Sequence, residues 1–180
     1  MGRQHDRKWT YYVGLSCGGL VALHEFINIR SCSIMLRTQD YINLVEKHRK
    51  EIEEFPIAYA FDEKQLKEAL EKLGAKDVSE CVTISGIGDI VLKKDAPRYI
   101  QMLKDQRKET LEALKDKDFA VAAFRYEMDN HEYAINYDGD GDVLGCFGME
   151  MEDLINMGLE DEYLIARKGH MDYMRELGIV

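Results

Sequence analysis

Proline occurs only twice in 180 residues, and no two cysteines stand close enough to form a C-x-x-C. The first scarcity argues against long disordered or linker segments. The second removes a zinc ribbon and a thioredoxin-type redox site, because Cys17, Cys32, Cys81 and Cys146 are widely spaced. They read instead as free, buried thiols of a reducing cytoplasm. No segment reaches the roughly 20 consecutive apolar residues of a transmembrane helix. No Walker loop or HExxH is present, and no cysteine–histidine spacing marks a nucleophile. An enzyme is therefore not the favoured class.

Basic residues are scarce in one part of the chain only. Residues 1–125 carry 21 Lys/Arg and 20 Asp/Glu, a net +1, whereas residues 126–180 carry 3 basic and 14 acidic groups, a net −11. The whole acidity of the protein sits in that last segment. Such a segment repels nucleic acid and steers toward basic surfaces over a Debye length of about 10 Å. What remains is ordinary: at 46% hydrophobic, the chain can build the core of one domain.

The first 34 residues differ in character. A basic start is followed by a semi-apolar stretch that Thr10, Ser16 and three glycines interrupt. The pattern resembles the start of a signal peptide but lacks a clean cleavage site. Residues 1–34 read as an extension or an N-terminal arm, with Met35 just before the first clean helix signal, and 35–180 as a single domain.

Within that domain, Thr38 reads as the cap of a helix over 38–55, with Tyr41, Leu44, Val45, His48 and Ile52 at helical spacing. "PIAYAF" reads as a buried strand. Asp62 and Gln65 make a capping-box pattern for the next helix, which Gly74 stops. "CVTISGIGDIVLKK" is a hairpin pattern with a glycine-bearing turn. Asp95 caps a further helix with Pro97 in its first turn. Another helix spans 119–128, and short helices start near Asp142, Met151 and Glu160. The sum is an α+β fold, with a small antiparallel sheet of about three strands, several packing helices and a helical C-terminal part.

Three motifs invite chemistry. "NYDGDGDVLGCFGME" places Asp138, Asp140 and Asp142 at alternate positions. An EF-hand would need Gly where Val143 stands and Glu where Met149 stands, so the stretch reads as a polar turn with Asp142 as an N-cap. A weakly held divalent cation is the most it offers. "SGIGD" lacks the third glycine and following helix of a dinucleotide site, and reads as a tight turn. "MDNHEY" collects Asp129 and His131 at a helix end, where a histidine is favoured by the helix dipole.

Three stretches carry a resemblance to known proteins. "FPIAYAFDEKQLKEALEKLG", "ISGIGDIVLKKD" and "YEMDNHEYAINYDGDGDVLGCFGMEMEDL" together resemble a group of small uncharacterised proteins of Firmicutes phages and mobile elements, over residues 35–173. The resemblance implies a role in host interaction, in a setting similar to that of anti-CRISPR proteins. It leads to the expectation of a non-enzymatic inhibitor or binding protein, located in the host cytoplasm. Its acidic segment would cover a basic surface on a host defence nuclease, because RNA-guided nucleases hold nucleic acid in a positively charged channel. The candidate partner-binding carboxylates are Glu127, Asp129, Asp138, Asp140, Asp142, Glu150, Glu152 and Asp153. Direct nucleic-acid binding, membrane association and a cofactor are not expected, and the oligomeric state is not legible. One alternative is a small metal-binding protein or enzyme using Asp129, His131, Asp138, Asp140 and Asp142. The other is a structural or regulatory mobile-element protein that dimerises through an apolar helix face.

Overall fold

A computed structural model describes the backbone of residues 21–86 and 88–180 and the side chains from residue 34 onward. Residues 33–180 form one compact unit, described here by itself. The expectations for Cys17 and Cys32, and for most of the N-terminal extension, lie outside the described side chains.

Helix α1 runs Val21–Glu54 without a break. The expected start at Thr38 is therefore wrong. No glycine or proline occurs between 21 and 54, so nothing in the stretch stops the helix before it reaches a cap-like residue. Thr38 uses its hydroxyl inside the helix, donating to the Ile34 carbonyl at 2.9 Å.

Strand β1 (Ile57–Tyr59) follows, then helix α2 (Glu63–Leu73). Asp62 caps α2 as its pattern requires, accepting from the Gln65 amide at 2.7 Å, and Gly74 closes it in the left-handed conformation. A short turn leads into strand β2 (Cys81–Val82) and strand β3 (Asp89–Leu92). The sheet has the order β1-β3-β2 and is antiparallel throughout, with Ile57 opposite Val91 and Val82 also opposite Val91. β3 lies at the centre, and all four of its residues are buried. At the edge, the Lys72 ammonium of α2 donates to the Ile57 carbonyl of β1 at 2.9 Å.

A buried aspartate in the central strand needs compensation. Asp89 receives the Ile84 amide at 3.0 Å, the Ser85 amide at 3.1 Å and the Ser85 hydroxyl at 2.5 Å. Burial alone would raise its carboxyl, but these bonds to the ionised form outweigh burial and hold it below the usual range. The β2–β3 connection is thus clamped by the first residue of β3.

Helix α3 (Ala96–Ala113) begins after Asp95, which stays helical in backbone and makes no capping bond. Helix α4 (Lys117–Asn130) starts two residues earlier than its apolar pattern implied, because Asp116 accepts from the amides of Asp118 and Phe119. Three helices complete the chain: α5 (Gly139–Gly145), α6 (Met151–Asn156) and α7 (Glu160–Glu176). The arrangement is α+β with a helical C-terminal part, and no described helix is long and apolar enough to cross a membrane.

The main core is built around α4. Phe119, Ala120, Val121, Ala123, Phe124 and Met128 pack with Tyr41, Leu114, Phe147, Leu154, Tyr163 and Ala166. Alanines at 120, 122 and 123, all fully buried, leave room for close helix approach. Phe124 meets Phe147 and Tyr163 edge to face, both at 5.2 Å between ring centres. A smaller cluster of Phe55, Ile57, Val91 and Tyr99 joins the sheet to α3.

Gly86 and Gly88 flank the turn, with φ of 79° and 87°. A Cβ at Gly86 meets nothing, whereas one at Gly88 would lie 2.7 Å from the Phe61 ring. Gly86→Ala should cost about 1 kcal/mol from backbone strain alone. Gly88→Ala should cost roughly twice as much or more, since overpacking adds to strain. Urea denaturation of both variants checks this order; equal losses would show that the Phe61 contact is easily relieved.

Candidate metal centre

The C-terminal turn of α4 carries two polar residues on one face. Glu127 and His131 are four positions apart, so they stack one above the other. Glu127 faces inward and is only 6% exposed. Its Oε1 accepts the Tyr41 hydroxyl of α1 at 2.5 Å. Its Oε2 lies 3.5 Å from His131 Nε2 and 3.4 Å from Asn130 Nδ2. His131 caps the end of α4, and the chain leaves the helix through Glu132, a non-glycine residue with φ of 51°.

Helix α5 then returns a third group to the same place. Cys146 follows its last residue, with Sγ 3.1 Å from His131 Nε2 and 3.3 Å from the Asp142 carbonyl. The Glu127, His131 and Cys146 donor atoms all lie within 4.8 Å of one another. Cys146 is exposed and the His131 side chain is 40% exposed, so the cluster sits at the surface above a buried carboxylate.

Two kinds of chemistry could use these residue types. A nucleophilic triad needs the imidazole to take the thiol proton on one nitrogen while a carboxylate orients the other. Here both the sulfur and the carboxylate lie at Nε2, which does not fit. The thiol also titrates the wrong way for a nucleophile. Although the residue as a whole is exposed, loss of hydration around its sulfur, followed by the Glu127 charge, pushes the Cys146 thiol up to about 12.

Convergence on one point is instead what a cation needs. Ordinary Zn–S, Zn–N and Zn–O bond lengths in a tetrahedron put ligand atoms about 3.3–3.6 Å apart. The 3.5 Å separation of oxygen and nitrogen matches that spacing, the 3.1 Å separation of sulfur and nitrogen is shorter by a few tenths of an ångström, and all three donor atoms lie within 4.8 Å of one another. One neutral nitrogen, one thiolate and one carboxylate form a borderline-soft set suited to zinc. The Tyr41 hydroxyl on Glu127 Oε1 holds the carboxylate so that Oε2 turns toward the other donors, as outer hydrogen bonds do in metal sites.

The residues singled out in the sequence are placed differently. Asp129 points away from His131, pairing with His170 Nδ1 at 2.7 Å and with Arg125 Nε at 3.4 Å. The three alternating aspartates are engaged separately. Asp138, not Asp142, is the N-cap of α5, accepting from the Gly141 amide at 3.2 Å, because the helix starts at Gly139. Asp140 Oδ1 accepts two phenols, from Tyr133 at 2.6 Å and Tyr163 at 2.7 Å. Asp142 Oδ2 accepts from Asn136 Nδ2 at 2.5 Å. Glu150 and Asp153 form the capping box of α6. Glu152 is simply exposed. Glu127, expected on the surface, is interior, and Cys146, expected to be buried, is exposed; Cys81 is half-buried. The only visible signal of the cluster was the four-residue spacing of Glu127 and His131. Cys146 lies 15 positions beyond His131, and no short metal motif spans that gap.

A family model described as "Family of unknown function (DUF7659)" matches residues 40–164, and the chain belongs to that family. The matched segment contains Tyr41, Glu127, His131 and Cys146. No curated protein and no solved structure matches the chain.

The Asp140 contacts carry a direct test. Burial and the Asp140 bond push the Tyr133 phenol up to about 12, and the same two causes raise Tyr163 further. Asp140→Ala leaves both largely buried hydroxyls without their acceptor and should cost about 2–4 kcal/mol. Asp138→Ala removes only a cap and should cost about 1 kcal/mol. Denaturant midpoints of the two variants compare them; a larger loss for Asp138→Ala would mean the tyrosines find other partners.

Proposed function

We propose that this protein binds a divalent transition-metal ion of the zinc class through Glu127, His131 and Cys146. The observation that carries this reading is the convergence of three chemically suitable donors on one point, with the buried Tyr41 hydroxyl orienting the carboxylate. One ligand comes from α4, one from the residue that caps its end and one from the residue after α5. The ion would tie the end of α4 to the end of α5. Three protein ligands leave a fourth tetrahedral position for an exogenous group.

Calorimetry with zinc tests the proposal. One ion per chain is expected, with affinity weakened about tenfold or more by Cys146→Ser and by His131→Asn. Desolvation and the Glu127 charge favour the protonated thiol in the metal-free protein, so binding must expel its proton. Affinity should therefore rise with pH, by about one log unit per unit through neutrality. Tyr41→Phe should weaken binding while leaving the stoichiometry intact. Zinc binding that neither substitution alters would sink the assignment.

A second reading rests on the charge split, and on carboxylates that stay exposed in the structure at Asp138, Glu150, Glu152, Asp153, Glu160 and Asp161. These could engage a basic surface on a partner, in keeping with a phage or mobile-element protein that inhibits a host nuclease in an anti-CRISPR-like way. On this reading, a triple reversal of Glu150, Glu152 and Asp153 to Lys should slow association with such a nuclease, and inhibition should fade as salt rises. Inhibition that is insensitive to both would remove the acidic surface from consideration.

A further inference from the structure

We propose that the protein forms a two-fold dimer, in which the basic face of α3 in one copy lies against the acidic α6 region of the other. Lys104, Arg107 and Lys108 share one side of α3 with Leu111, by the 3.6-residue turn of the helix. Lys115, just past the helix, lines the same groove, as does Met157 after α6. Two acids of α3 are engaged elsewhere. Glu109 takes Lys47 and His48 of α1, and Asp105 takes the Gln101 amide. Glu112 is the carboxylate that lines the groove, where it pairs with Lys115. Four cations against one carboxylate leave the groove at +3. Among the described residues, no carboxylate pairs with Lys104, Arg107 or Lys108, and Arg107 donates to a backbone carbonyl instead.

Residues 149–166 form the complementary half. They contain six carboxylates and no Lys, Arg or His. Glu162 pairs with Lys117. Glu150, Glu152, Asp153, Glu160 and Asp161 are exposed and, among the described residues, pair with no cation. The two halves adjoin. The Arg107 guanidinium donates to the Gly148 carbonyl at 2.7 Å, and Met157 lies in the groove beside Leu111. Gly148 and Met157 bracket Glu150, Glu152 and Asp153 in sequence, so those carboxylates stand next to the basic face without pairing with it.

That adjacency identifies the occupant. A two-fold axis sets a surface patch against its own copy, so a patch with adjoining positive and negative halves is complementary to itself. A second copy therefore satisfies both halves at once. A partner of a single sign would satisfy one half and be repelled by the other. The exposed Ile155 and the half-buried Leu111 and Met157 supply apolar area among the charges. The donors assigned to the metal take no part. The surface carboxylates of the second reading do, so a docked copy would cover them.

Sedimentation of the full chain over a salt series tests the dimer. A species of twice the chain mass is expected at low salt, and it should dissociate as salt screens the contacts. Lys104→Glu with Lys108→Glu, and separately Glu152→Lys with Glu160→Lys, should each weaken self-association about tenfold or more, because like charges then face each other. All four positions are exposed, and circular dichroism checks that both variants fold. An equimolar mixture of the two should recover the dimer, since each reversed half then meets a reversed partner. A parent that stays monomeric at low salt and high protein concentration overturns the proposal. So does a dimer that ignores the reversals, or a mixture that fails to recover it. Assembly beyond two copies overturns the two-fold arrangement in favour of a head-to-tail contact. A monomer that instead retains polyglutamate or duplex DNA through Lys104 and Lys108 overturns the second copy as occupant, and assigns the basic face to an acidic protein or to nucleic acid.

Discussion

Helix α4 is enclosed on most of its circumference, and every polar group it turns inward must find a partner there. Two carboxylates on or beside it, the buried Glu127 and the half-buried Asp140, show how that constraint is met. Glu127 takes the hydroxyl of Tyr41 from α1, and Asp140 takes those of Tyr133 and Tyr163. Each bond ties a separate element to the core: α1 in the first case, and α5 to α7 in the second. The hydrophobic cluster supplies the bulk of the driving force, but it is indifferent to small rotations of a helix. The tyrosine–carboxylate bonds are not, because a buried charge with a lost partner is costly. They set how α1, α5 and α7 sit around α4, and so they also set where His131 and Cys146 meet.

Where local chemistry decides the outcome, the fold was legible in the residues. Asp62 with Gln65 starts α2, Gly74 ends it, and the glycines of the turn join β2 to β3, all for reasons confined to a few neighbouring positions. Thr38 failed as a helix start because a cap is a preference that only matters where a helix must begin, and nothing upstream breaks α1. Asp142 failed as a cap for a related reason. Three equivalent aspartates were available, and packing of the buried Gly139 against the Tyr133 ring, where a Cβ would come within 2.6 Å, favours the first of them.

The candidate centre was less legible, and the misplacement was symmetrical. Glu127 looked like one acid among 14 in an acidic segment, and Cys146 looked like a small apolar residue of the core. Composition assigns charge to the surface and thiols to the interior. The fold reverses both, because α4 presents Glu127 toward Tyr41, while the tight end of α5 leaves Cys146 outside Val143 and Leu144, which fill the core. The same geometry divides the acidic segment into carboxylates with structural work and carboxylates facing solvent, a distinction that net charge cannot express.

The sheet offers a last consequence. Its order leaves β1 and β2 as edges, and exposed edges are templates for pairing with other chains. β2 is only two residues long, too short to register a partner strand. On the other side the Lys72 ammonium occupies the Ile57 carbonyl, so an incoming strand would have to displace a charged donor before making its own first bond. Both margins of the sheet thus disfavour strand addition. The one sheet among the described residues is thereby guarded against fibrillar growth from its edges.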